Sequence, residues 1–188
     1  PVVAKLRAKL LDAVRTGPYG TVQHQGSLVA AIVATTGLRP GSTGSAKDKH
    51  FGVSTLQARH VRIDSEGAHL RYVGKAGKKN VGTVNDPALV EALTQYKAQA
   101  EQRGGGTTPL FKPNAALTEA RGSLPKGAKL KDFRTVMATV TAKREMDGAP
   151  EPPPPLPKDE KKARKLVLKH IREASKVVAE RLNNTPAV

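Results

Sequence analysis

Residues 60–84 read HVRIDSEGAHLRYVGKAGKKNVGTV, and this stretch decides the architecture. His60 to Ile63 and Leu70 to Val73 alternate apolar and polar side chains, which is the period of a strand. Asp64-Ser65-Glu66-Gly67 between them has the composition of a turn. Gly74-Lys75-Ala76-Gly77-Lys78-Lys79 is a second turn, and Val81 to Val84 is a short third strand. The pattern predicts a small three-stranded antiparallel meander. Little else in the chain reads as strand.

Helical spacing dominates on both sides of the meander. Val3, Leu6, Leu10 and Val14 predict an amphipathic helix over 2–15, broken by Gly17-Pro18-Tyr19-Gly20. Leu28, Ile32 and Val33 predict a second helix over 26–36, which Gly37 ends. Residues 40–52 are rich in Gly, Ser and Lys and read as loop. Beyond the strands, 86–102 carries Leu89, Leu93 and Tyr96 on one face, and Gly104-Gly105-Gly106 stops it. Leu110 to Ala120 is a weaker helix. Residues 130–146 place Phe133, Met137 and Val140 together. Ala149 to Pro157 holds six prolines and reads as a stiff, extended linker. A long basic helix over 158–182 follows, with Val167, Ile171, Ala174, Val178 and Leu182 expected to face inward. Asn183, Asn184 and Pro186 end it. The expected fold class is therefore α+β, mostly α. Residues 1–148 form the core, 149–157 the linker, and 158–188 a basic C-terminal helix of the same domain.

Composition narrows the chemistry. The chain has 188 residues, with 32 Lys and Arg against 16 Asp and Glu, a formal charge of +16. Residues 1–100 carry 14 basic and 6 acidic side chains, and residues 101–188 carry 18 and 10, so the excess is spread evenly. A folded domain this positive repels itself unless it meets a polyanion, and nucleic acid is the default partner. Aromatic residues are only 3% and Trp is absent, which argues against base-stacking platforms. The absence of Cys excludes disulfides, thiol catalysis and thiolate metal sites. His24, His50 and His170 show no metal-ligand spacing, and no cofactor is implied. No apolar run approaches the roughly 20 residues that span a bilayer. No signal-peptide pattern opens the sequence, which starts mid-pattern as a fragment would.

Taken in order, the basic residues form a pattern. Thr36-Gly37-Leu38-Arg39-Pro40-Gly41 places an Arg just after a helix. Phe51-Gly52-Val53-Ser54-Thr55-Leu56 leads through Ala58-Arg59-His60-Val61 into the strands. Val73-Gly74-Lys75 sets a Lys at a hairpin tip. Lys131-Asp132-Phe133-Arg134-Thr135 opens a helix with a second Arg, and Asn184-Thr185-Pro186-Ala187-Val188 closes the chain.

These pieces resemble the catalytic domain of the type IB DNA topoisomerases, specifically the small poxvirus-like enzymes found in many bacteria. The resemblance runs from about Ala30 to Val188. Its most specific parts are residues 131–135 and 184–188. Tyrosine recombinases share the fold but usually carry His three residues before the second Arg, where this sequence has Lys131. The resemblance implies a helical catalytic domain with a small antiparallel sheet. It also implies ATP- and metal-independent relaxation of supercoiled double-stranded DNA through a 3′-phosphotyrosyl link. It further implies a monomeric, cytoplasmic, nucleoid-associated protein.

Residue roles follow from the same resemblance. Arg39 and Arg134 hold the non-bridging oxygens of the scissile phosphate, a task suited to a planar, permanently charged fork. Lys75 is the general acid that protonates the leaving 5′ oxygen, with Lys78 and Lys79 as competitors from the same turn. Asn184 falls where relatives carry His or Asn, and donates a hydrogen bond to a phosphate oxygen. It is equally suited to cap a helix C-terminus. Arg59, His60, Lys78, Lys79, Lys131 and Thr185 form the candidate DNA-binding set, although His60 and His69 can face either DNA or core.

Two features depart from the family pattern. Val136 stands where relatives often carry an aromatic residue. The nucleophilic tyrosine belongs a few residues beyond Val188, and Tyr19, Tyr72 and Tyr96 lie in the wrong places. The expectation is a catalytic-domain fragment that binds DNA and cannot cut it. The alternatives are a tyrosine recombinase or integrase, and a non-catalytic basic DNA-binding protein.

Overall fold

A computed structural model describes residues 2–147 and 159–181. The chain falls into two compact units, residues 1–134 and 135–188.

The first unit is built around one enclosed helix. Helix α1 spans Val2–Thr16 and α2 spans Val22–Thr36. Helix α2 starts earlier than its apolar spacing predicts, because Thr21 caps it: the His24 N–H donates to Thr21 Oγ1 at 3.1 Å. Every residue from 24 to 34 except Ser27 is buried. A helix that is apolar on nearly all sides must be surrounded, and α1, α4, α5 and the sheet pack against it. The segment read as loop over 40–52 contains a short helix, α3 (Thr43–Lys47), capped by Ser42.

The predicted meander is present. Strands β1 (Val61–Asp64), β2 (Gly67–Val73) and β3 (Lys79–Val84) form an antiparallel sheet in the order β1-β2-β3. Val61 pairs with Leu70, and Tyr72 with Asn80. Along β2, Ala68, Leu70 and Tyr72 face the core, while Arg71 and Val73 face solvent. Alternation of this kind marks a sheet with one covered face.

Helix α4 spans Pro87–Gly104, capped by Asp86 at its start and by Gly105 at its end. Leu89, Leu93 and Tyr96 are buried as the spacing predicts. Tyr96 also does polar work. Its hydroxyl accepts the Gly20 N–H and donates to His24 Nδ1 at 2.9 Å, while His24 Nε2–H donates to the Val14 carbonyl at 3.1 Å. That chain of bonds ties α1, α2 and α4 together, and burial lowers the His24 pKa against the opposing pull of the Val14 bond.

Helix α5 runs Pro113–Gly122 rather than from Leu110. Pro113 sets its first turn. Leu110 is extended instead, and its N–H donates to the Leu56 carbonyl at 2.9 Å. Helix α6 (Leu130–Asp147) opens in the first unit with Leu130 and Phe133 buried.

In the second unit, α7 spans Glu160–Arg181. Its apolar stripe corrects one expectation: Val167 and Ile171 are 43% and 49% exposed, not turned inward, and Ala179 is buried. Val140 of α6 is likewise 45% exposed. Periodicity marks which face of a helix is apolar, but not whether another element covers it. The proline-rich linker over 149–157 and Leu182 lie outside the described residues. No helix among the described residues is long and apolar enough to cross a membrane.

Candidate phosphate-binding site

Arg39 is placed by the end of α2. Gly37 adopts φ 67° as the C-cap, and its N–H donates to the Val33 carbonyl at 2.9 Å. That left-handed turn suits Gly and redirects the chain out of the helix. Leu38 then buries, leaving Arg39 at the surface. The Arg39 carbonyl accepts the Val53 N–H at 2.9 Å, and the Pro40 carbonyl accepts the Ser54 N–H at 2.8 Å. Here Gly41 and Gly52 pass so closely that a Cβ on Gly52 would stand 2.4 Å from the Gly41 backbone. The Arg39 segment is thereby pinned to residues 52–54.

The same stretch reaches the sheet. The Phe51 N–H donates to the Val73 carbonyl at 2.7 Å, at the end of β2 and just before Lys75. The turn that follows is closed by two donors on one acceptor. The Gly74 N–H and Asn80 Nδ2 both reach the Lys78 carbonyl, at 2.7 and 2.9 Å. Ala76 takes φ 59° within it. The side chains of Lys75, Lys78 and Lys79 are all exposed. Asn80 is 3% exposed, so the bond that closes the turn is protected from water.

Arg134 arrives from α6. The Lys129 N–H donates to Asp132 Oδ2 at 2.8 Å, one half of a capping box, and this fixes where the helix begins. Leu130, Phe133 and Arg134 then share the inward face at i, i+3 and i+4, while Lys131 points outward. Arg134 is 8% exposed, and its Nη1 donates to the Gly37 carbonyl, two residues before Arg39. Burial first, and then the nearby Arg39 charge, pull the Arg134 pKa down to about 10. It remains protonated at neutral pH. The two guanidiniums, 95 positions apart in sequence, therefore occupy one locality.

A row of rings, Phe51, His60 and Tyr72, packs at the end of β2. His60 packs against Phe51 at 4.5 Å and against Tyr72 at 6.1 Å between centroids. The Gln57 N–H donates to His60 Nδ1 at 3.1 Å. Burial, helped by the neighbouring Arg59 charge, lowers the His60 pKa to about 4. His60 is thus a neutral, inward-facing ring packed between Phe51 and Tyr72, rather than a side chain turned to the outer surface. Arg59 is exposed, and its Nε donates to Gln57 Oε1 at 2.9 Å.

Asn184 and Thr185 lie outside the described residues. Asn80 and Tyr72 are features of this locality that sequence reading did not assign. Asn80 carries a faint signal, as an amide directly after a Lys-rich turn. A cavity of about 270 Å³ lies elsewhere, lined by Val14, Gly17, Tyr19, His24, Ala92 and Gln95 among others. It includes none of the site residues.

Two permanent cations held together repel, and an anion between them relieves that repulsion. A guanidinium pair offers forked donors to the oxygens of a single phosphate. Comparison with known families points the same way. The family model described as the catalytic core of eukaryotic DNA topoisomerase I matches residues 1–188. No curated protein matches the chain.

Proposed function

Since the chain belongs to the family of the DNA topoisomerase I catalytic core, we propose that it supplies the phosphate-holding cations and the general acid of a type IB strand-transfer site. The carrying observation is the convergence of Arg39 and Arg134. In this reading they bind the non-bridging oxygens of one DNA phosphate and stabilise the extra charge of the pentacoordinate transition state. Lys75, at the tip of its closed turn, protonates the 5′ oxygen as it leaves. Asn184 adds a neutral donor. A tyrosine bonded to the 3′ phosphate preserves the energy of the broken linkage, so resealing by the 5′ hydroxyl needs no ATP. Fixed cations supply the charge stabilisation that a metal provides in other phosphoryl-transfer sites.

None of the three tyrosines in the sequence suits the attack. Tyr96 is bonded to His24, Tyr19 sits in the α1–α2 turn, and burial keeps the Tyr72 hydroxyl protonated, a donor rather than a nucleophile. In this reading the attacking residue is none of these three tyrosines, and the chain binds duplex DNA through its cations. The finer assignment to the poxvirus-like enzymes rests on residues 131–135 and 184–188. Monomeric action on double-stranded DNA in the cytoplasm, at the nucleoid, belongs to the same reading.

The test is relaxation of supercoiled plasmid, without ATP or magnesium, by the full-length protein. Relaxation is expected, and Arg134→Ala or Lys75→Ala should slow it by roughly 10²–10⁴-fold. Normal relaxation by Arg134→Ala would remove that residue from the site.

A further inference from the structure

Tyr72 is 4% exposed, and its hydroxyl has no hydrogen-bond partner among the described residues. A buried, unsatisfied hydroxyl is costly and calls for an explanation. The charges of Arg134 and Arg39 both act on this hydroxyl. Arginine has donors only, so neither guanidinium can accept the phenolic proton. The hydroxyl is closed to solvent in the free protein, so an acceptor reaches it only when a covering side chain moves aside. The residue has little freedom: its Cα pairs with Asn80 in the sheet, it is 4% exposed, and its ring stands tilted beside His60.

We propose that the Tyr72 hydroxyl is a further catalytic residue, a third fixed donor to the same DNA phosphate oxygens that Arg39 and Arg134 hold. This rests on the phosphate-site reading above and extends it. The hydroxyl is neutral and adds no repulsion to the two cations, and it contributes only when a phosphate oxygen is present to accept. Burial raises the Tyr72 pKa well above the usual phenol value, more than the two arginines lower it, so the group remains a donor. The cost of leaving it unpaired in the free protein is a preorganised site's usual cost, recovered on binding.

The experiment uses the 188-residue chain with ¹³Cζ-labelled tyrosine and a short DNA duplex at low salt. The Tyr72 resonance is identified by its loss in Tyr72→Phe. It is expected to shift on DNA addition, while that of Tyr96, already bonded to His24, stays in place. Tyr72→Phe should bind the duplex about three- to tenfold more weakly. In the absence of DNA it should unfold at the same temperature or higher, since the lost hydroxyl had no partner. In an Arg134→Ala background the Tyr72→Phe effect on affinity should shrink. If DNA binds but the Tyr72 resonance and the Tyr72→Phe affinity are both unchanged, this inference falls and the phosphate-site reading stands. A lower unfolding temperature for Tyr72→Phe also overturns it, by showing that the free fold uses the hydroxyl. A chain that binds no DNA overturns both.

Discussion

Arg39 and Arg134 are each unremarkable surface-type residues in the sequence, and their meaning comes from being brought together. Arg134 is drawn in because Phe133 beside it and Leu130 before it belong to the core, so a single helical turn carries the guanidinium inward. His60 shows the same logic in reverse. Its sequence position allows either DNA or core, and packing between Phe51 and Tyr72 selects core. A group whose folded pKa is depressed to about 4 binds its proton more readily when unfolded. Stability from His60 is thus present above pH 6.5 and drains away as pH falls toward 4. The loss is at most about 3 kcal/mol. Denaturant midpoints measured across that window should fall on acidification. His60→Gln should flatten the slope, leaving the smaller part in the same direction from His24, whose pKa burial also lowers.

At the scale of elements, the strands and most helices follow from periodicity, and their boundaries from caps. The start of α2 at Val22 depends on Thr21 and the start of α5 on Pro113, local signals that apolar spacing alone does not report. Helix α6 is the element on which the site depends most. Its register is set by Asp132 holding the Lys129 N–H. Asp132→Ala should cost about 1 kcal/mol in a denaturant titration, the usual worth of a helix N-terminal cap. It should also weaken DNA binding, because the first turn carries Arg134. Asp132→Asn, which retains an acceptor oxygen, should recover most of both. Unchanged stability in Asp132→Ala would show that Phe133 and Leu130 alone fix the helix start.

For the whole molecule, the excess of 16 positive charges sets the behaviour toward DNA. Affinity should fall linearly on a log–log plot against salt, with a slope that counts displaced counterions. Removing a single exposed cation such as Lys79 should reduce that slope by about one unit if it meets a phosphate. A flat salt response would exclude phosphate contacts as the basis of binding. Sequence preference should be weak, since phosphate contacts position a protein without reading bases.

Composition, period and turn chemistry are local properties of the chain, and the sequence by itself determined what depends on them: a cysteine-free, strongly basic, mostly helical domain with one three-stranded meander. It also ordered Arg39, Lys75 and Arg134 along the chain. Tertiary packing alone decided that Arg134 reaches the Gly37 carbonyl and feels the Arg39 charge, that His60 turns inward, that Asn80 closes the Lys75 turn, and that the Tyr72 hydroxyl is buried without an acceptor. It also left Val167 and Ile171 of α7 half in solvent. Each of these depends on what lies opposite a side chain across tens of residues of separation, and no local period carries that information.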